Sequence, residues 1–120
     1  MKRIRSERVL TDEGLRPATV HIDGERIIEI SDETPTEDLG DLVLLPGLCD
    51  VHVHINEPGR TEWEGFETAT RAAAAGGITS LVDMPLNCDP VTTSVDALRQ
   101  KVDACRGKLW VDTAFWGGVI

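Results

Sequence analysis

Hydrophobic and polar residues alternate with a period of about two in the first third of the chain, which is typical of half-buried β-strands. Two such β-rich runs, 18–22 and 26–30, flank Asp23-Gly24, a dipeptide suited to a tight turn. They predict a β-hairpin, with His21 on the solvent side of its strand. The polar, acidic segment 31–41 is expected to be a connecting loop.

Longer apolar runs alternate with amphipathic segments in the rest of the chain. Strands are predicted at 48–55, 78–84 and 109–116, and helices at 62–75 and 95–106 with Thr61 and Ser94 as N-caps. The inner face of the second helix is expected to carry Val95, Leu98, Val102 and Cys105. This order predicts a parallel α/β fold, either a (β/α)₈ barrel or a doubly wound sheet. We expect one domain over residues 1–45 and a second over 46–120.

Composition narrows the classes of partner. The 120 residues carry a formal net charge of −9, which argues against nucleic acid and anionic membranes as partners. Cys49, Cys88 and Cys105 are odd in number and lack metal-type spacing, so they favour a reduced, cytoplasmic protein. No apolar run approaches the length of a transmembrane helix.

Candidate chemistry lies in the run Asp50-Val51-His52-Val53-His54. Residues two apart on a strand project to the same face, about 6–7 Å apart. His52 and His54 can therefore converge on one divalent metal, although paired histidines also occur on strands with no such role. Both lie near the carboxyl end of the first predicted parallel strand. In barrel enzymes the active site lies at the carboxyl ends of the strands.

The segment 45–54 resembles the first barrel strand of the amidohydrolase superfamily, and within it the cyclic-amide hydrolases. The similarity continues through 57–59, 72–79 and 83–85. It implies a (β/α)₈ barrel preceded by a small β-sandwich domain that is built partly from amino-terminal residues. It also implies that His52 and His54 are metal ligands.

Two positions separate the subgroups of these hydrolases. The dihydroorotase pattern has an arginine two residues after the second histidine, where it grips a substrate carboxylate, and this chain has Asn56. That pattern also has asparagine directly after Met-Pro, and here Leu86 precedes Asn87. Asn56 and the run 84–87 resemble the allantoinases, whose substrate is neutral. The resemblance implies that Asn56 and Asn87 bind this small-molecule substrate through their amides.

The resemblance implies that the reaction opens the hydantoin ring of allantoin to give allantoate, with a metal-activated hydroxide as nucleophile. It also implies two zinc ions in each complete subunit and a homo-oligomeric enzyme, a tetramer. The family also needs a carboxylated lysine, two more histidines and a catalytic aspartate, which we expect beyond Ile120. The lysines of this chain are Lys2, Lys101 and Lys108, and its other histidine is His21. With about three of the eight strands of a barrel, the chain is expected to be the amino-terminal portion of such an enzyme and inactive alone.

Other readings of the sequence stay open. A hydantoinase (dihydropyrimidinase) or a dihydroorotase is the nearest enzymatic alternative. A non-catalytic amidohydrolase-like scaffold or remnant is an alternative of another class. A stand-alone metal-binding module is disfavoured, because even catalytic zinc usually has three protein ligands.

Overall fold

The computed structural model describes residues 1–119 and divides the chain into two compact units, Met1–Pro46 and Gly47–Ile120. The first unit contains β1 (Lys2–Thr11), β2 (Gly14–Asp23), β3 (Arg26–Ser31), β4 (Glu37–Asp38) and β5 (Val43–Leu44). The second contains β6 (Leu48–Val53), α1 (Phe66–Ala75), β7 (Ile78–Asp83), α2 (Val95–Cys105) and β8 (Asp112–Phe115). In the described part of the chain, no helix is long and apolar enough to cross a membrane.

The first unit is one five-stranded sheet with the order β3-β2-β1-β4, and β5 also pairs with β1. β2 and β3 form the predicted antiparallel hairpin, with Val20 opposite Ile30. β4 and β5 run parallel to β1, so part of the predicted loop 31–41 is a short strand. Val9, Ala18 and Val20 form the core of this unit.

His21 does not face solvent, and that prediction was wrong. Its side chain is buried, at 3% exposed, and its Nε2 lies 2.8 Å from the Ser31 hydroxyl. Thr19, on the same side of β2, is also buried and donates to the Glu33 carbonyl at 2.7 Å. The end of β3 and the residues directly after it thus cover the face that alternation alone assigns to solvent.

The second unit is a three-stranded parallel sheet with the order β6-β7-β8, and α1 and α2 are its crossover helices. This arrangement confirms the predicted parallel β/α alternation. Its core contains Ile55, Phe66, Ala69, Ala73, Leu81 and Cys105. The rings of Phe66 and Phe115 meet edge to face at 6.1 Å, which joins the start of α1 to the last strand.

Helix α1 begins at Phe66 with Gly65 as its N-cap, so the prediction of Thr61 as cap was wrong. Glycine brings no capping side chain, and the Glu57 carboxylate takes that role by accepting the Phe66 N–H at 2.9 Å. Glu57 also pairs with Lys108. The residues before Gly65 form turns, because a carboxylate from outside the helix fixes its start.

Helix α2 has the predicted Ser94 cap, whose hydroxyl accepts the Ala97 N–H at 3.1 Å. Its buried residues are Ala97, Lys101 and Cys105. Val95, predicted on the inner face, is 65% exposed, and Leu98 is exposed too. The inner face is displaced because Lys101 turns into the protein, where it meets a carboxylate.

Candidate metal centre

His52 and His54 lie at the carboxyl end of β6, the edge strand beside β7. Their ring centroids are 5.3 Å apart, so the structure brings the two imidazoles together. His52 is exposed and His54 is half-buried. The Asp50 carboxylate accepts the backbone N–H of His52 at 3.0 Å, so it supports the strand rather than an imidazole.

A buried ion pair fixes the backbone directly after His54. Lys101 Nζ lies 2.5 Å from Asp83 Oδ2, and each side chain is 1% exposed. Asp83 Oδ1 accepts the Ile55 N–H at 2.7 Å, and Lys101 donates to the Ile55 carbonyl at 2.9 Å. Both polar groups of Ile55 are therefore bound by one charged pair. The sequence analysis did not identify this pair. Two features could have indicated it: Lys101 lies four residues before Cys105, on the same side of α2, and Asp83 ends a buried strand.

Two opposing effects act on the pKa of the Asp83 carboxyl, and the larger one is burial. Burial raises the pKa of its carboxyl above the ordinary value of 3.8. The hydrogen bonds from Lys101 and Ile55 oppose this rise. The carboxylate therefore depends on Lys101 for its stability inside the protein.

Asn87 contacts His54 directly. Its side-chain Nδ2 lies 3.2 Å from His54 Nδ1. Its backbone φ is +72°, and its carbonyl accepts a hydrogen bond from Arg60 Nη1 at 3.1 Å. The structure thus brings Asn87 to the histidine pair, while its predicted contact with substrate stays a prediction.

Asn56 is buried, at 7% exposed, in the turn segment that follows His54. Its backbone N–H donates to the Glu64 carbonyl and its own carbonyl accepts from Arg60, both at 2.9 Å. Among residues 1–119, its side-chain Oδ1 has no hydrogen-bond partner. Its role in substrate binding also stays a prediction.

The donor set suits a borderline metal such as zinc, because two imidazoles share one face of the sheet edge. Over residues 1–119 there is no group of three or more histidine, cysteine, aspartate or glutamate residues that could hold a metal ion. The pair therefore fits part of a metal site and needs ligands from elsewhere to complete it.

Comparison with known proteins shows a matching family and several similar allantoinases. Residues 43–120 match the amidohydrolase family. The chain is 57% identical to an allantoinase from Streptomyces avermitilis, over 98% of the chain and 28% of that protein. It is 46% identical to the allantoinase of Arabidopsis thaliana, over 98% of the chain and 25% of the relative. The chain thus spans about a quarter of the length of the curated relatives it matches.

Solved structures show the same fold. The L-hydantoinase (dihydropyrimidinase) of Arthrobacter aurescens superimposes with a TM-score of 0.80 at 28% identity, over 98% of this chain and 28% of that one. A D-hydantoinase from Bacillus sp. AR9 gives a TM-score of 0.76 at 32% identity, over 96% and 26%. The fold is α/β, a β-rich unit followed by the opening strands and helices of a (β/α)₈ barrel.

Proposed function

The chain belongs to the amidohydrolase family, and from that premise we propose that it supplies part of the active centre of an allantoinase-type cyclic amidohydrolase. The reaction is hydrolytic opening of the hydantoin ring of allantoin to allantoate. Members of the family generally depend on a divalent metal. The observation that carries the proposal is the pair His52 and His54, with ring centroids 5.3 Å apart at the carboxyl end of a parallel strand.

His52 and His54 would hold one of two zinc ions in each complete subunit. A metal bound there polarises a carbonyl and lowers the pKa of water, which is the chemistry that hydrolysis of a stable cyclic amide needs. The contribution of the other residues of this chain is to hold His54 in position. Asp83 and Lys101 bind both polar groups of Ile55, so the backbone that carries His54 is held at a fixed position beside β7.

The amide side chains of Asn56 and Asn87 favour binding of a neutral substrate over an anionic one. Asn56 carries a buried Oδ1 without a partner among the described residues, and such an atom is costly unless an N–H donor meets it. Allantoin offers ureido and ring N–H donors and no carboxylate. We propose that Asn56 and Asn87 face this substrate in the complete enzyme.

The 120 residues alone are proposed not to catalyse, because a catalytic zinc site takes about three protein ligands and the described residues offer the histidine pair. The purified chain, supplied with zinc and allantoin, should form no allantoate above the rate of a blank. Zinc-dependent hydrolysis by the chain would contradict this part of the proposal.

A chimera tests the function directly. The chain replaces the matching 28% of the Streptomyces avermitilis allantoinase, to which it is 57% identical. The chimera should hydrolyse allantoin, and His52→Ala or His54→Ala within it should abolish the activity. His21→Gln, in the other unit, is the matched control and should keep it. A folded chimera that leaves allantoin intact would overturn the proposal.

Hydantoinase activity is the second candidate, because solved structures that superimpose on this chain include an L-hydantoinase and a D-hydantoinase. Hydantoin and dihydrouracil therefore belong in the same assay, with dihydroorotate as the anionic substrate. We expect allantoin to be preferred over hydantoin because the chain is 57% identical to an allantoinase. We expect it to be preferred over dihydroorotate because Asn56 stands where that substrate would need a carboxylate-binding arginine. Preference for hydantoin would favour the second candidate.

Two properties of the whole protein stay predictions. The first is that the complete enzyme is a homotetramer, which light scattering can test.

The second is a cytoplasmic location. It rests on cysteine usage, since Cys49, Cys88 and Cys105 are free thiols in the structure. Cell fractionation with an antibody to the chain would test the location.

A further inference from the structure

We propose that Trp116 is a positioning residue, whose indole N–H holds the peptide that leads into His52 and so keeps the His52 ring beside that of His54. Its consequence for a metal rests on the function proposed above for the histidine pair. The observation is the hydrogen bond from Trp116 Nε1 to the Val51 carbonyl, 3.0 Å long, between residues 65 positions apart in the chain. An indole nitrogen donates and a carbonyl accepts, so the direction of this bond is fixed.

Trp116 projects from the face of the sheet that lies away from the helices. Phe115, directly before it, packs edge to face on Phe66 of α1 and therefore points to the helix side. The backbone N–H of Trp116 donates to the Asp83 carbonyl at 2.9 Å, which continues the pairing of β8 with β7. Since neighbouring residues of a strand point to opposite faces, the indole is turned to the other side of the sheet.

The two histidines project from this same face. Val53, which lies between His52 and His54, packs against the core beneath the helices. Alternation along the strand therefore points both imidazoles away from the helices. β7 is the middle strand, so the Trp116 indole crosses over it to reach β6 on the face that carries the candidate metal centre.

The indole meets β6 where the pairing of that strand is irregular. The register shifts between Asp50 and Val53, so that Val51 and His52 lie opposite one residue of β7. Such a bulge disrupts the ladder of backbone hydrogen bonds and redirects side chains. The His52 N–H belongs to the same peptide group as the Val51 carbonyl, and it donates to the Asp50 carboxylate at 3.0 Å. Side chains thus bind both polar groups of this peptide, which fixes the direction in which the His52 side chain leaves the strand.

A covering role is the alternative, in which the Trp116 ring shields the sheet and its N–H has no effect on His52. Trp116→Phe keeps an aromatic ring and removes the N–H, whereas Trp116→Ala removes both. A positioning role makes the two variants behave alike, and a covering role makes Trp116→Phe behave as the wild type does. Trp110→Phe is the matched control, because it makes the same change at an exposed tryptophan before β8 that contacts Arg71.

The first measurement needs no metal. Nuclear Overhauser effects between the ring protons of His52 and His54 are recorded in the metal-free chain at one pH, since ring centroids 5.3 Å apart bring such protons within range. The cross-peak should be present in the wild type and Trp110→Phe, and lost in Trp116→Phe and Trp116→Ala. A cross-peak that persists in Trp116→Phe, or is absent from the wild type, would overturn the proposal.

The wild-type chain also provides a test that does not depend on how a variant folds. The indole N–H of Trp116 should exchange with solvent more slowly than that of Trp110, because a hydrogen-bonded N–H exchanges only when its bond opens. The two indole signals are assigned from the Trp116→Phe and Trp110→Phe spectra. Equally fast exchange at both indoles would overturn the proposal.

The second measurement is the affinity for ZnCl₂ by isothermal titration. Trp116→Phe should bind zinc about tenfold more weakly than the wild type, as when a residue that orients a metal ligand is lost, and Trp110→Phe should bind as the wild type does. Unchanged affinity in Trp116→Phe would overturn the link to the metal. A wild type that binds no zinc, with a cross-peak that still depends on Trp116, would contradict the metal role of the histidine pair and support the positioning role of Trp116.

Discussion

Lys101 and Asp83 form an ion pair in which each side chain is 1% exposed, and both also bind the backbone of Ile55. The pair joins α2 to the carboxyl end of β7 and to the residue after His54. A buried pair of this kind contributes little net stability compared with apolar residues, but breaking it leaves a buried charge without compensation. The main effect of this pair is therefore to fix the position of the Ile55 backbone relative to β7 and α2.

Replacing only one member of the pair should be strongly destabilising. Lys101→Met leaves the Asp83 carboxylate buried and unpaired, and should reduce the free energy of unfolding by about 3–5 kcal/mol. Adding Asp83→Asn should recover part of the loss, since the new amide oxygen still accepts the Ile55 N–H without a charge. Urea denaturation followed by circular dichroism measures both effects. Arg99→Met, an exposed change on the same helix, is the control; a double variant no more stable than Lys101→Met would contradict this.

The Glu57 carboxylate should stabilise the start of α1. Glu57→Ala removes the acceptor of the Phe66 N–H and the partner of Lys108, and should cost about 1–2 kcal/mol, as the loss of a helix cap does. Glu57→Gln keeps an acceptor oxygen and should cost less. Thermal melting gives the order of stability, with the exposed Glu62→Ala as control. Equal melting of Glu57→Ala and the wild type would disprove the capping role.

Zinc binding by the chain should depend on both histidines of the candidate centre. His52→Ala and His54→Ala should each weaken zinc binding by at least about tenfold, because each removes one of two ligands. His21→Gln should bind as the wild type does, since His21 is buried in the first unit against Ser31. Isothermal titration measures the three affinities. Loss of zinc binding in His21→Gln would show that the ion binds elsewhere.

Alkaline pH should reveal the burial of Cys105. Burial raises the pKa of this thiol above the ordinary value of 9.0, so the folded chain keeps a proton that the unfolded chain releases. The unfolded state then binds fewer protons, and stability falls as the pH rises from about 9 towards the raised pKa. Cys105→Ala should flatten this part of the curve of unfolding free energy against pH. Cys49→Ala, which removes an exposed thiol, should leave the slope in place; if it flattens the curve instead, the assignment is wrong.

Local patterns predicted the fold well where neighbouring residues decide the structure. The hairpin follows from Asp23-Gly24, α2 starts at the predicted Ser94, and the β/α alternation gives the parallel sheet. Sequence spacing also placed His52 and His54 on one face, as their ring separation of 5.3 Å confirms.

Contacts between distant residues could not be predicted in this way. Lys101 received no structural role from the sequence, because no residue near it in the chain shows that Asp83 lies beside it inside the protein. Glu57 caps a helix that begins nine residues later. His21 was assigned to solvent by alternation, whereas Ser31 at the end of β3 contacts its buried ring. Each error has the same origin, since the deciding partner lies outside the local pattern.

The Lys101 bond to Ile55 also imposes an order on folding. It joins residues separated by 46 positions, and α1, β7 and the first half of α2 lie between them. The ammonium reaches the Ile55 carbonyl only after these elements have packed, so the peptide that carries His54 is locked late. Local unfolding of α2 would break the same bond, so the peptide directly after His54 keeps its fixed position only while α2 stays packed.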